Sequence, residues 1–141
     1  MVYWNEVAAN YIEEAGLTDR GAAHVFALMH AAQFDALLTC FESKYFYNLL
    51  RPNQANPAIT LAIGQPSYPA YPSGYACLSG SAAGVLEYFF PTQATDLANL
   101  VTEAGESRIL GGIHYRFDIP AGRNMGETVA EWAIAHQDRL R

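Results

Sequence analysis

One helical pattern, over residues 19–50, constrains the fold of this 141-residue chain more than any other feature. Apolar side chains recur there at steps of three and four residues, which places them together on a helix. The pattern comprises Val25, Leu28, Met29, Ala32, Leu37, Leu38, Phe41, Tyr45 and Leu49. Pro52 ends it and pushes Arg51 out of helical geometry. We expect one long helix here, with a break near Thr39 and Cys40.

Shorter helical patterns flank this segment. They predict helices over residues 2–15, 74–89, 93–104 and 121–139, and a motif-bearing segment at 106–115. Residues 53–72 are rich in Asn, Gln, Gly and Pro and predict a loop, with one helical turn at 57–62. Strand signals are nearly absent. The prediction is therefore an all-α fold, a bundle of about five or six helices forming a single domain over residues 1–141.

Composition and charge exclude several classes of protein. Half of the residues are hydrophobic, 51%, so the chain can bury a real core. The net charge of −6 argues against a nucleic-acid partner or an anionic membrane surface. No apolar run is long enough for a membrane span. No secretory signal pattern is visible, so the cytoplasm is the default expectation for a compartment that the sequence does not determine.

The two cysteines, Cys40 and Cys77, both lie in apolar helical contexts. Buried free cysteines behave as small hydrophobic side chains. We therefore favour two buried thiols, with a disulfide between them as the alternative.

A candidate site occupies residues 107–118, where Arg108, His114 and Asp118 stand among apolar and glycine positions. Arginine can bind an oxyanion through its fork of donors. Histidine can act as nucleophile, ligand or base. Asp118 follows His114 by four residues, one helical turn, and could fix the imidazole tautomer. The structural alternative is a buried ion pair with a satisfied histidine between its members.

Two further stretches supply anion-binding groups. Lys44 and Arg51 are seven residues apart, which is two turns on one helical face and about 10 Å of rise. Ser73 and Gly74 open a helix, and a helix N-terminus attracts anions through its free N–H groups and its dipole. The structural alternative for the two cations is that they reach solvent along an aromatic face. The alternative for Ser73 is an ordinary N-cap.

These stretches together resemble the signature of the type 2 phosphatidic acid phosphatase and vanadium-dependent haloperoxidase superfamily. That signature reads Lys-x6-Arg-Pro, then Pro-Ser-Gly-His, then Ser-Arg-x5-His-x3-Asp. The corresponding blocks here are residues 44–52, 72–75 and 107–118, in the same order. The local sequences of residues 44–48, 68–74 and 111–118 are similar to those of the soluble haloperoxidase branch. The resemblance covers roughly residues 20–130.

The resemblance implies a role for each matching residue. Lys44, Arg51 and Arg108 would bind the equatorial oxygens of vanadate or phosphate. Ser73 and the Gly74 N–H would add hydrogen bonds. His114 would bond vanadium directly, or attack phosphorus to form a phosphohistidine, and Asp118 would orient it. Small-molecule substrates are implied: peroxide and halide for a haloperoxidase, or a phosphate ester for a phosphatase.

One position departs from the signature, because Tyr75 stands where the family has an acid–base histidine. A tyrosine hydroxyl, with a reference pKa near ~10, is a poor substitute near neutral pH. Losing a general acid typically costs about 10²–10⁴-fold in rate. The sequence thus leaves three functions open: a haloperoxidase, a phosphomonoesterase and a non-catalytic oxyanion-binding relic.

The chain is also short for this superfamily, whose members usually carry more helices before the first block. Three explanations stay open at this point. The chain is a fragment, a minimal relative, or a protomer that completes its bundle as a homodimer.

Overall fold

The computed structural model describes residues 2–140, and the side chains up to residue 138. Within that range the chain forms helices and no strand, so the all-α prediction is confirmed. The helices are α1 (Val2–Glu14), α2 (Asp19–Tyr47), α3 (Pro52–Ala55), α4 (Gly74–Phe89), α5 (Ala94–Leu110) and α6 (Asp118–Ala135). Two 3-10 turns, Pro91–Gln93 and Gln137–Leu140, follow α4 and α6. None of the described helices combines the length and the hydropathy that a bilayer crossing requires.

Helix α4 is the centre of the bundle and packs against α2, α5 and α6. The hydrophobic core gathers the first half of α2, the second half of α4, the first half of α5 and the last turns of α6. It follows that α4 and α6 run parallel to each other, and that α2 and α5 run the opposite way. The opposite end of the bundle therefore receives the starts of α4 and α6 and the ends of α2 and α5.

Small residues let α4 and α6 approach each other closely, as the composition of residues 74–89 predicts. A Cβ added to Gly126 would lie 2.1 Å from the carbonyl oxygen of Cys77, and one added to Gly80 would lie 2.6 Å from that of Arg123. Real Cβ atoms do not approach other atoms so closely. The two backbones are therefore in direct contact, which a larger residue at either position would prevent.

Several predicted boundaries are wrong. Helix α2 continues through Thr39 and Cys40 without a break and ends at Tyr47, where Asn48 takes a left-handed conformation (φ 46°). The single helical turn lies at Pro52–Ala55 rather than at 57–62. Proline suits the first position of a helix, and the Gln54 side chain accepts a hydrogen bond from the N–H of Arg51 at 2.8 Å.

Arg51 itself is extended (φ −69°, ψ 153°), as its position before proline predicts. It therefore does not share a helical face with Lys44, and that geometric expectation is wrong. Helix α5 reaches Leu110, well beyond residue 104, so Ser107 and Arg108 lie on its last turn.

Cys40 and Cys77 form a disulfide, so the expectation of two buried thiols is wrong. Cys40 lies on α2 and Cys77 on α4, with their Cα atoms 6.5 Å apart, a distance typical of disulfides. The bridge ties together two neighbouring helices just below the end of the bundle where α4 begins. Residue context alone cannot reveal such a pairing, since it depends on how the helices pack.

Candidate functional site

The parallel helices α4 and α6 begin side by side at one end of the bundle. The backbone N–H of Ser73 donates to the backbone carbonyl of Asp118 at 3.0 Å, which joins the two helix starts directly. The positive ends of both helix dipoles therefore point to the same region. The three sequence blocks lie at this same end, which also receives the last turns of α2 and α5.

His114 and Asp118 form the most direct contact of the site. His114 Nδ1 lies 2.7 Å from Asp118 Oδ2, and the same carboxylate oxygen accepts the backbone N–H of Tyr115 at 3.1 Å. Asp118 is completely buried and is the first residue of α6, while His114 precedes that helix in a loop. The expected positioning of the imidazole by Asp118 is thus present, although the pair does not lie on one helix.

Arg51 defines the tautomer of His114. Its Nη1 lies 3.0 Å from His114 Nε2 and 2.8 Å from the carbonyl oxygen of Ile113. A guanidinium can only donate, so Nε2 must be an acceptor and Nδ1 must carry the proton that points to Asp118. Burial, with smaller effects of Arg51 and Lys44, lowers the pKa of His114 below its ordinary value, although Asp118 opposes this shift. The imidazole is therefore neutral at neutral pH.

Arg51 also carries an unused donor. The residue is 1% exposed, and its Nε donates to the carbonyl of Tyr68 at 3.1 Å. Its Nη2 is buried and has no hydrogen-bond partner among the described residues. A buried, unpaired charged donor is costly. An oxyanion beside His114 would satisfy it.

Lys44 is fully buried, and its ammonium is held by the loop before α4. It donates to the carbonyl oxygens of Pro69 at 3.1 Å and Ala70 at 3.0 Å, and also to that of Pro72. Burial, and next the nearby Arg51, lowers the pKa of Lys44 to about 8. Lys44 thus anchors the loop and places a positive charge beneath the start of α4; direct bonding to an anion would require it to release one carbonyl.

Ser73 and Gly74 occupy the positions expected of them. Ser73 is the N-cap of α4, and its Oγ accepts the N–H of Ala76 at 3.4 Å. A Cβ on Gly74 would lie 3.7 Å from Lys44 Cε, so this helix start sits directly over the lysine. With the Ala76 N–H capped, the N–H groups of Gly74 and Tyr75 are the first-turn donors that have no acceptor within the helix and could bind an anion.

Arg108 and Tyr75 pair with each other. The guanidinium carbon of Arg108 lies 4.1 Å from the centroid of the Tyr75 ring, a cation–π contact, and its Nε donates to Ser107 Oγ at 3.0 Å. Tyr75 is 56% exposed, and Arg108 is partly buried. Among the described residues neither side chain has a hydrogen bond to His114, Asp118, Arg51 or Lys44, so the pair stands beside the His114 cluster.

Tyr68 is a part of the site that the residue patterns do not assign. Its carbonyl accepts from Arg51, and its ring centroid lies 5.3 Å from both Lys44 Nζ and the Arg51 guanidinium carbon. The ring therefore stabilises two neighbouring cations that repel each other. The proline-flanked aromatic run at 68–72 was the available signal, because prolines hold such a segment extended.

The arrangement as a whole favours a tetrahedral oxyanion. It combines a neutral imidazole, a buried unpaired guanidinium donor, a buried ammonium and two helix starts. The cations and dipoles would neutralise the charge of the anion. His114 Nε2 would bond its central atom once Arg51 Nη1 turns from this nitrogen to an oxygen of the anion.

Comparison with known proteins points to the superfamily that the sequence motifs resemble. The family model of the PAP2 superfamily matches residues 22–141. A bacterial vanadium-dependent iodoperoxidase superposes with a TM-score of 0.83 at 25% identity, over 94% of this chain and 37% of that one. A transmembrane PAP2-type phosphatidylglycerolphosphate phosphatase from Bacillus subtilis has the same fold, with a TM-score of 0.68 at 16% identity, over 100% of this chain and 80% of that one.

Two curated relatives are non-specific acid phosphatases. The protein from Salmonella typhi is 40% identical over 57 residues, and the one from Salmonella typhimurium is 39% identical over 57 residues. Each match covers 40% of this chain and 23% of the relative. The chain thus matches about a quarter of the length of these relatives.

Proposed function

The chain belongs to the PAP2 superfamily, and we propose that its buried site binds vanadate and acts as a vanadium-dependent haloperoxidase. The observation that carries this proposal is the pair formed by His114 and Arg51. The Nε2 atom of His114 is unprotonated, and it lies 3.0 Å from a guanidinium whose Nη2 is buried without a partner. Vanadate requires both an imidazole ligand and donors for its oxygens, so the residues present fit this group.

Each residue then has a defined task. His114 Nε2 would ligate vanadium, and Asp118 would hold the opposite nitrogen protonated. Arg51, Lys44 and Arg108 would neutralise the equatorial oxygens, with Ser73 and the Gly74 N–H at the helix start. When bound, vanadate would supply the oxidation of halide by peroxide.

Tyr75 favours this reaction over ester hydrolysis. A haloperoxidase needs a stable oxyanion site, and apart from Tyr75 the signature residues that would form it are present. Hydrolysis of an ester with a poor leaving group needs a proton donor, and a tyrosine hydroxyl is a weak acid at neutral pH.

The second candidate is a phosphomonoesterase, favoured by the matches to acid phosphatases. His114 Nε2 would attack phosphorus as the bond to the ester oxygen breaks, and that oxygen would leave as an anion that takes its proton from water. Water would then cleave the phosphohistidine to release phosphate. With Tyr75 in place of a histidine, esters whose leaving groups need no proton should react best.

The disulfide bears on the compartment in which this chemistry takes place. Disulfides persist in oxidising environments and are rare in the cytosol, where thiols are kept reduced. The Cys40–Cys77 bridge therefore favours an oxidising compartment over the cytoplasm that we expected by default.

Parallel assays with and without vanadate test the two functions. We expect halogenation of a dye by peroxide and iodide or bromide only with vanadate, and its loss, by at least about 10²-fold, in His114→Gln. His136→Gln, at the far end of α6, is the matched control and should keep full activity. Release of nitrophenol from its phosphate, inhibited by vanadate, would support the phosphatase instead.

Two outcomes would contradict a catalytic role. If the protein binds vanadate but turns over neither substrate, and Tyr75→His gains an activity, the chain is an oxyanion-binding relic. If vanadate does not bind, the site assignment itself is wrong.

A further inference from the structure

An apolar cleft lies next to Arg108, outside the residues assigned to the oxyanion. Helices α1, α4 and α5 enclose it, and its volume is about 550 Å³. Trp4 and Tyr3 come from α1, Leu78 from α4, and Leu100 and Ala104 from α5. A volume of this size is in the range of small-molecule sites in proteins.

The cleft offers few free polar groups that could bind a charged ligand. The indole N–H of Trp4 donates to Ser79 Oγ at 3.2 Å and is therefore already satisfied. Among the residues that line the cleft, all within the described part of the chain, Glu103 alone carries a full charge. A negative charge at this place disfavours an anionic group on the ligand, whereas the rings of Tyr3, Trp4 and Tyr75 suit an aromatic one.

The cleft adjoins Arg108 through two residues that contact its side chain. Tyr75 and Ser107 both line the cleft, and they are the two residues that hold the Arg108 guanidinium. An anion bound by Arg108 would therefore have the cleft directly beside it. His114, Asp118, Arg51 and Lys44 do not line the cleft, so a substituent held there would leave that cluster in place.

We propose that this cleft binds the aromatic ring of an aryl phosphoryl compound whose anionic end occupies the oxyanion site. The inference rests on the proposed oxyanion site, and not on which of the two reactions takes place there. The cleft would then favour binding of aryl over small alkyl phosphoryl compounds.

Competition between two phosphonates of different size tests the proposal by binding alone. Methylphosphonate and 1-naphthylmethylphosphonate are both resistant to hydrolysis, and each is used to displace vanadate from the protein. We expect the aryl compound to bind about tenfold more tightly, because its ring is removed from water. Ala104→Phe fills the cleft and should reduce this ratio to within about twofold, with methylphosphonate affinity unchanged.

The control is Ala98→Phe, the same substitution at an exposed position of α5 that does not line the cleft. It should keep the tenfold ratio. Tyr3→Ala removes a ring that is 52% exposed, so folding should tolerate it, and the ratio should again fall.

Each contrary result has its own meaning. Equal binding of both phosphonates to the wild-type protein overturns the aryl cleft and leaves the oxyanion site intact. A ratio that persists in both Ala104→Phe and Tyr3→Ala does the same. If neither phosphonate nor vanadate binds, the proposed function is wrong, and this inference is wrong with it.

Discussion

Tyr75 and Lys44 show how single residues can differ from the roles that a motif implies. Tyr75 occupies the position of an acid–base histidine, and its ring contacts the guanidinium of Arg108. Lys44 matches the motif, and its ammonium donates to three backbone carbonyls of the loop before α4. Their contacts make Tyr75 a support for Arg108 and Lys44 a support for the loop, in addition to any role toward a ligand.

The buried position of Lys44 predicts a pH dependence of anion binding. Its pKa is lowered from 10.5 to about 8 in the free protein, and a bound oxyanion would favour the charged form. Affinity should therefore be constant well below pH 8 and fall by up to about tenfold per pH unit above it. Tungstate, whose charge does not change in this range, is the probe, with dissociation constants measured by calorimetry from pH 6.5 to 9.5.

The control for this experiment is Lys44→Met, which should bind tungstate more weakly and with a flat profile over the same range. A wild-type profile as flat as that of the variant would contradict the prediction. The stability of the free protein should change in the opposite direction to anion affinity and rise with pH. Below pH 8 the buried Lys44 is charged, which costs folding free energy. That cost is relieved as the pH rises toward 10.5.

At the scale of the helices, the parallel pairing of α4 and α6 makes the site. Their starts meet because Gly80 and Gly126 allow direct backbone contact, and the contact brings Ser73 to Asp118. The sequence predicts the start of α4 at Ser73 correctly, and it predicts the small residues that permit close packing. Helix α6 begins at Asp118 rather than at 121, since Asp118 supplies the favourable acidic residue of its first turn.

Substitution of Gly126 tests this packing. Gly126→Ala would place a Cβ 2.1 Å from the carbonyl oxygen of Cys77 and 2.8 Å from the N of Ser81, and neither backbone atom can move without its helix. We expect a loss of about 1–3 kcal/mol in the free energy of unfolding, measured by urea denaturation.

Gly21→Ala is the matched control, in the first turn of α2. Its Cβ would meet only ordinary contacts of 3.5 Å or more, and alanine favours a helix over glycine by about 1 kcal/mol. The control should therefore be neutral or stabilising. Equal effects of the two substitutions would show that α4 and α6 are not in direct contact.

At the scale of the whole molecule, the core and the site lie at opposite ends of the bundle. The core fills one end, and the Cys40–Cys77 bridge fastens α2 to α4 near the other. Burying Lys44, Arg51 and Asp118 together costs folding free energy, since each charge loses its water. The bridge contributes stability on the side of the molecule where these charges lie.

Reduction of the disulfide measures that contribution. The bridge joins residues 37 apart, and closing a loop of this size stabilises a protein by up to about 4 kcal/mol. We expect the urea midpoint of the wild-type protein to fall on addition of a phosphine reductant. The Cys40→Ala/Cys77→Ala double variant should be less stable and indifferent to reductant; an unchanged wild-type midpoint would contradict the bridge's role.

A homodimer and a single domain over residues 1–141 stay predictions. Sedimentation velocity would measure the first directly.

The sequence by itself determined the helical class and the starts of α2 and α4, and it predicted candidate residues for the site. Local signals suffice for these, because helix caps, prolines and the spacing of apolar residues act over a few positions. The motif blocks that contain Lys44, Arg51, Arg108 and His114 can likewise be recognised from the order and spacing of residues along the chain.

Only the tertiary structure decided how those residues are joined. The disulfide, the pairing of Arg51 with His114 Nε2 and the contact of Arg108 with Tyr75 each connect separate segments of the chain. Such contacts depend on which helices lie side by side and in which direction. That arrangement follows from the packing of α4 against α2, α5 and α6 and not from any local pattern.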